Sequence, residues 1–85
     1  MPQITFEQDA FNEFIEWEAK DHKKFNKITR LISEIARTPF TGTGKPEPLK
    51  GNMSKYWSRR IDDEHRLVYQ FFDNSISIIS MKYHY

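Results

Sequence analysis

Cysteine is absent from this chain, so neither a disulfide framework nor a thiolate metal site is open to it, a composition compatible with a reducing cytosol. Long hydrophobic runs are absent too. Nothing approaches the roughly 20 apolar residues of a membrane span, and the first residues lack the basic-then-apolar order of a signal peptide. The expectation is a soluble, unexported, cytoplasmic protein. Charge of one sign is lacking as well: the net charge is +1, so bulk charge gives no warrant for a polyanion partner. The chain is short, and its 85 residues leave room for one domain, residues 1–85, burying only roughly 60 to 65 per cent of its unfolded surface.

What is present offsets the small size. Seven Phe, four Tyr and two Trp supply bulky core material. The near-neutral total also hides a pattern along the chain. Residues 1–21 carry a net charge of −5, residues 22–38 carry +4, and the remainder carries +2. Cationic surface is therefore local, and a polyanion is served only if those bases converge on one face.

Ile4 and Phe6 alternate with Gln3 and Thr5, as in a short strand with one buried face. Thr5 with Gln8 resembles a capping box, and Glu7 and Asp9 suit a helix N-terminus, so a helix should begin near Glu7. Ala10, Phe14 and Trp17, with Phe11 and Ile15 beside them, form a broad apolar stripe at helical spacing, with Glu18 at its rim. Asp21 can cap a second helix carrying Phe25, Ile28, Leu31, Ile32 and Ile35 and stopping before Pro39. So short a connection predicts an antiparallel helix hairpin, acidic on one helix and basic on the other.

Residues 39–48, with Gly42, Gly44 and three prolines, read as an ordered loop. The period then becomes two over residues 56–61, 66–72 and 76–83. The polar breaks Asp62-Asp63-Glu64-His65 and Asp73-Asn74 are short enough for hairpins, which predicts an antiparallel β-meander. The fold class is α+β: an N-terminal strand, a helix hairpin and then the meander, with the helices on one sheet face and the other face free.

One stretch stands out for chemistry. In Gly44-Lys45-Pro46-Glu47-Pro48-Leu49-Lys50 a carboxylate sits between two prolines and near two lysines. The prolines hold it extended and displayed. Cleaving RNA with side chains alone requires a base for the 2′-hydroxyl, an acid for the leaving 5′-oxygen and cations around the phosphate. Glu47, His84 and the pair Arg66 and Arg60 supply one of each, arginine being suited to phosphate oxygens. By alternation Ser80, Lys82 and His84 share a face of the last strand. Tyr85 can stack on a base or donate to a phosphate, while Tyr83 packs inward. His22 and His65 read as ordinary junction and turn residues, and three histidines without spaced partners give no metal site.

These residues resemble the YoeB toxins of bacterial toxin–antitoxin systems, within the wider RelE-like group of messenger-RNA-cutting toxins. The resemblance spans nearly the whole chain. It is carried by Arg37-Thr38-Pro39-Phe40, Gly42, the Gly44 to Lys50 stretch, Trp57-Ser58-Arg59-Arg60-Ile61, Glu64-His65-Arg66-Leu67-Val68-Tyr69 and Tyr83-His84-Tyr85. It implies a fold similar to small microbial ribonucleases and cleavage of messenger RNA in the ribosomal A site, leaving a 2′,3′-cyclic phosphate. It further implies Glu47 as general base, His84 as general acid, Arg66 as the phosphate-stabilising cation, and Tyr85 shaping the site. Lys50 and Arg60, with Lys45, Arg59 and Lys82, are the expected RNA contacts. No cofactor is implied. The implied partners are an antitoxin similar to YefM, the ribosome and its message, with a homodimer left open. Gly51 and Lys82 depart from the familiar pattern, which has a larger polar residue and an Arg there.

Two other classes compete. A non-catalytic module could grip RNA or a protein with its basic sheet face, but a pure phosphate-binding surface gains nothing from Glu47 among its lysines. An inert scaffold for protein pairing leaves the Tyr83-His84-Tyr85 tail unexplained.

Overall fold

The computed structural model describes residues 2–82. The chain runs β1 (Gln3–Phe6), α1 (Gln8–Lys20), α2 (His22–Arg37), β2 (Glu47–Pro48), a 3₁₀ turn (Gly51–Met53), β3 (Trp57–Arg60), β4 (Arg66–Phe72) and β5 (Ser75–Ser80). The strands form one sheet in the order β1-β5-β4-β3-β2. The expected α+β order of strand, helix pair and antiparallel meander is present, as β3 pairs antiparallel with β4 and β4 with β5. Two features go beyond the meander. β1 lies parallel to β5, and the loop before β3 contributes β2 as an edge strand.

α1 begins where expected but without the capping box. Glu7 is its extended N-cap and makes no side-chain cap. Thr5 belongs to β1, so its hydroxyl goes to the Ile76 carbonyl and the Ser77 hydroxyl, while the Gln8 amide donates to Asn12. The apolar stripe is also narrower than the sequence suggests. Ala10 and Trp17 are buried, but Phe11 and Ile15 stay 45% and 51% exposed. They sit one position, about 100° of rotation, round from Ala10 and Phe14.

α2 follows after Asp21 alone, whose carboxylate accepts from the Lys24 N–H at 3.1 Å. It buries Ile28, Leu31, Ile32 and Ile35 in one cluster with the sheet residues Leu67, Tyr69, Ile76 and Ile78, and Ala36 is buried as well. Asp73 and Asn74 both take positive φ, 53° and 57°, as a type I′ hairpin turn between β4 and β5 requires.

The two sheet faces are set by register. Trp57, Arg59, Leu67, Tyr69, Ile76 and Ile78 face the helices. Glu47, Ser58 and Val68 form a cross-strand row on the other side, with Ser80 next in register. A bulge at Ile79 shifts the β4–β5 register, so that Ser80 pairs with Val68 and Met81 turns into the core, 0% exposed. On the face opposite the helices, Ser58, Val68 and Ser80 are buried.

Candidate active site

Glu47 is held by the strand that its prolines permit. Residues 44–49 run antiparallel along β3: the Arg60 N–H donates to the Gly44 carbonyl at 2.7 Å, Glu47 pairs with Ser58, and the Leu49 N–H donates to the Tyr56 carbonyl at 2.9 Å. An outer edge tolerates proline because no further strand needs its missing donor. Glu47 remains exposed. Beside it lies an open groove of about 610 Å³ lined by Glu47, Pro48, Leu49, Lys50, Met53, Ser58 and Arg66.

Arg66 enters from the far side. Val68 stands two strands from Glu47 in the same row, and Arg66 lies two residues along β4. At strand spacings of about 4.8 Å and about 3.3 Å per residue, the Glu47 and Arg66 Cα atoms are roughly 12 Å apart. Their side chains can therefore flank one phosphate. Arg66 Nη1 donates to the Asp62 and His65 carbonyls at 2.8 and 3.2 Å, which orients the guanidinium. Arg60 is exposed and stands directly opposite Arg66 on β3. Like charges so paired are destabilising, and an anion between them relieves the repulsion.

The turn beneath Arg66 is braced by Asp62. Its carboxylate accepts from the Glu64 and His65 backbone N–H groups at 2.8 and 2.6 Å, and from the Lys24 ammonium at 2.6 Å. Burial opposes the charge, but these hydrogen bonds outweigh it and hold the carboxyl well below the usual range. The same pairing raises Lys24 above its ordinary value, with the Asp62 hydrogen bond as the chief cause.

Arg59 does not belong with the RNA contacts expected of it. It is 0% exposed and faces α2. Nε donates to the Tyr69 hydroxyl at 3.2 Å, Nη1 to Glu34 Oε1 at 2.6 Å and the Thr43 carbonyl at 3.3 Å, and Nη2 to the Thr38 and Thr41 carbonyls at 2.6 and 2.9 Å. Tyr69 passes the chain on to the Pro39 carbonyl at 2.6 Å. Burial raises the Tyr69 hydroxyl pKa, partly offset by Arg59. Glu34 is lowered, mainly by the Thr43 N–H, and also accepts the Thr43 hydroxyl. Arg59 thus ties down residues 38–43, the loop that delivers Glu47.

Lys82 is likewise removed from the groove. β5 ends at Ser80, so the alternation assumed to carry Ser80 and Lys82 on one face does not reach Lys82, and the Lys82 ammonium pairs with Glu16 on α1. That pairing lowers Glu16 below its ordinary value. Lys45 is exposed in a left-handed conformation, φ 53°, outside the groove lining. Of the expected set, the groove brings together Glu47, Lys50 and Arg66, with Arg60 beside Arg66. His84 and Tyr85, with Tyr83, lie outside the described residues. Ser58 and Met53 line the groove and were not singled out from the sequence. Ser58 was recoverable, since it alternates with Arg60 on one strand.

Comparison with known proteins gives a consistent picture. The profile of the YoeB-like toxins of bacterial type II toxin–antitoxin systems matches residues 6–85. Toxin YoeB of Mycobacterium bovis is 54% identical over 85 residues, all of both chains. Among solved structures, the YoeB dimer from Staphylococcus aureus matches with a TM-score of 0.91 at 47% identity, covering 99% of this chain and 98% of that one. The YoeB–YefM complex from the same organism matches at 0.89 and 45% identity, covering 100% and 99%.

Proposed function

Because the chain belongs to the YoeB-like toxins of bacterial type II toxin–antitoxin systems, we propose that it is an endoribonuclease that cuts messenger RNA on the translating ribosome. Glu47 takes the proton of the 2′-hydroxyl, and the 2′-oxygen attacks the adjacent phosphorus. The bond to the 5′-oxygen breaks, His84 protonates that oxygen, and a 2′,3′-cyclic phosphate remains. Arg66 stabilises the charge that builds on the phosphate, with Lys50 and Arg60 holding the RNA backbone and Tyr85 shaping the site. Base, acid and cation all come from side chains, so the reaction proceeds without a metal. Translation is thereby inhibited, and the site of action is the cytoplasm.

One observation carries this reading: an exposed carboxylate and an oriented arginine line a single groove on the sheet face away from the helices. The partner is a small antitoxin similar to YefM, as in the Staphylococcus aureus complex, and the free chain pairs as a homodimer, as YoeB of that organism does.

The test is cleavage of message on programmed ribosomes. The parent cuts with EDTA present, and Glu47→Ala lowers the rate on the order of 10²- to 10⁴-fold. If Glu47→Ala and Arg66→Ala both cut at the parent rate, the assignment is wrong.

A further inference from the structure

β5 leaves the sheet at Ser80, and the two residues after it are held by side chains of α1. The Met81 N–H donates to Glu13 Oε1 at 2.7 Å, and the Met81 carbonyl accepts from the Trp17 indole N–H at 3.0 Å. The Lys82 carbonyl accepts from the Ser80 hydroxyl at 3.2 Å, and the Lys82 ammonium pairs with Glu16. Glu13, Glu16 and Trp17 stand at i, i+3 and i+4 on α1, hence on one helix face.

Each half of this clamp has a different necessity. A buried indole N–H needs an acceptor wherever it lies, so the Trp17 bond alone says little. Glu13 is another matter. It is a half-buried carboxylate that among the described residues accepts from one backbone N–H, and the fully buried Met81 side chain already anchors this point to the core. What side-chain burial cannot fix is the rotation of the peptide planes. Gripping both the N–H and the C=O of one residue fixes the planes on either side of it. That sets the direction in which the chain leaves the core.

We infer that Glu13 and Trp17 are positioning residues for the general acid. The inference rests on the role proposed above for His84, which follows Met81 by three residues in the sequence. Three residues span at most about 10 Å, which leaves little chain to correct a wrong exit angle. A misplacement of about 1 Å in a reacting group can cost on the order of 10² in rate. Glu13 and Trp17 touch no substrate; they act through the backbone of Met81.

The experiment measures single-turnover cleavage at saturating toxin on programmed ribosomes with two messages. One has the natural 5′-oxygen at the cut, and the other a bridging 5′-sulfur, which departs as a thiolate without needing the acid. Glu13→Ala and Trp17→Phe, the latter keeping an aromatic ring and removing the donor, lower the natural-linkage rate at least ten-fold. Both cut the sulfur linkage close to the parent rate. Glu13→Gln, which retains an acceptor oxygen, restores most of the natural rate. Equal losses on both messages, or none on either, overturn the positioning role. Should Trp17→Phe fail to fold, the Glu13→Ala and Glu13→Gln pair decides alone. A parent chain that cuts neither message overturns the ribonuclease reading and this inference with it.

Discussion

Arg59 and Arg60 are consecutive on β3 and serve opposite faces of the sheet. Arg59 is wholly out of solvent, with its guanidinium 2.6 Å from Glu34 Oε1, while Arg60 is exposed across from Arg66. The division of labour follows from the pleat, since neighbouring side chains on a strand point to opposite sides. One arginine therefore builds the loop that carries Glu47, and the other supplies charge to the groove. Removing the buried one takes a charged donor from Glu34 and a donor from each of three loop carbonyls. Arg59→Ala should lose about 3–5 kcal/mol of stability, read as a fall in the urea unfolding midpoint. An unchanged midpoint with weakened RNA binding would return Arg59 to the contact surface.

Lys50 and Arg60 are expected to act by charge. Truncating either to Ala should weaken binding to RNA of any sequence and lower the slope of log affinity against log salt by about one. Thermal stability should change little, since both are exposed. Salt titrations of binding for parent and variants check this, and an unaltered slope for both removes them from the interface.

Glycines in and after the loop separate close approach from backbone preference. A Cβ on Gly42 would lie 2.2 Å from Glu34 Oε1 at φ +124°, whereas one on Gly51 meets nothing within 4 Å at φ +68°. Gly51→Ala should then cost only the left-handed backbone, about 1–2 kcal/mol. Gly42→Ala should cost more, because it also displaces the carboxylate that holds Arg59. Paired denaturant curves decide; equal losses would mean the Glu34 side chain moves away freely.

Acid should expose the Asp62 brace. Its folded pKa lies below the ordinary Asp value, so the stability it confers is complete above about pH 4. That stability is lost progressively as pH falls toward the folded value. Asp62→Asn should lower the Tm at neutral pH, by about 1.5–3 kcal/mol of stability for hydrogen bonds to a charged group. The gap between parent and variant should narrow below pH 4. A gap that is constant with pH would show that the carboxylate charge is not the cause.

Much of this architecture was legible in the sequence because period and punctuation agreed. The helix pair, the three meander strands and the display of Glu47 between prolines all follow from local rules. Other features did not. The capping box failed because Thr5 was already committed to pairing with β5, a contact 72 residues away in sequence. Arg59 was grouped with Arg60 by charge, although alternation alone separates them. Lys82 was carried onto the groove by an alternation extended past Ser80, where β5 ends, and nothing local in the sequence announces that end. The Glu13 and Trp17 clamp was illegible for the same reason: it depends on where a strand ends, and on a helix more than sixty residues earlier.

The terminus gives the sharpest separation between stability and activity. Met81 closes the described core, fully buried and with both backbone groups satisfied, so the packing named above is complete before residue 83. Removing His84 and Tyr85 should therefore leave the unfolding midpoint within a degree or two, as terminal residues contribute few contacts. Cleavage should nevertheless fall on the order of 10²- to 10⁴-fold, because the 5′-oxygen would leave without its proton. The bridging-sulfur message, whose thiolate needs no proton, should be cut far less unequally by the truncated and parent chains. A tag fused after Tyr85 should impair cutting more than one placed before Met1. A truncated chain that keeps the parent rate on the natural linkage removes His84 from the mechanism and leaves Glu47 and Arg66 to act with some other acid.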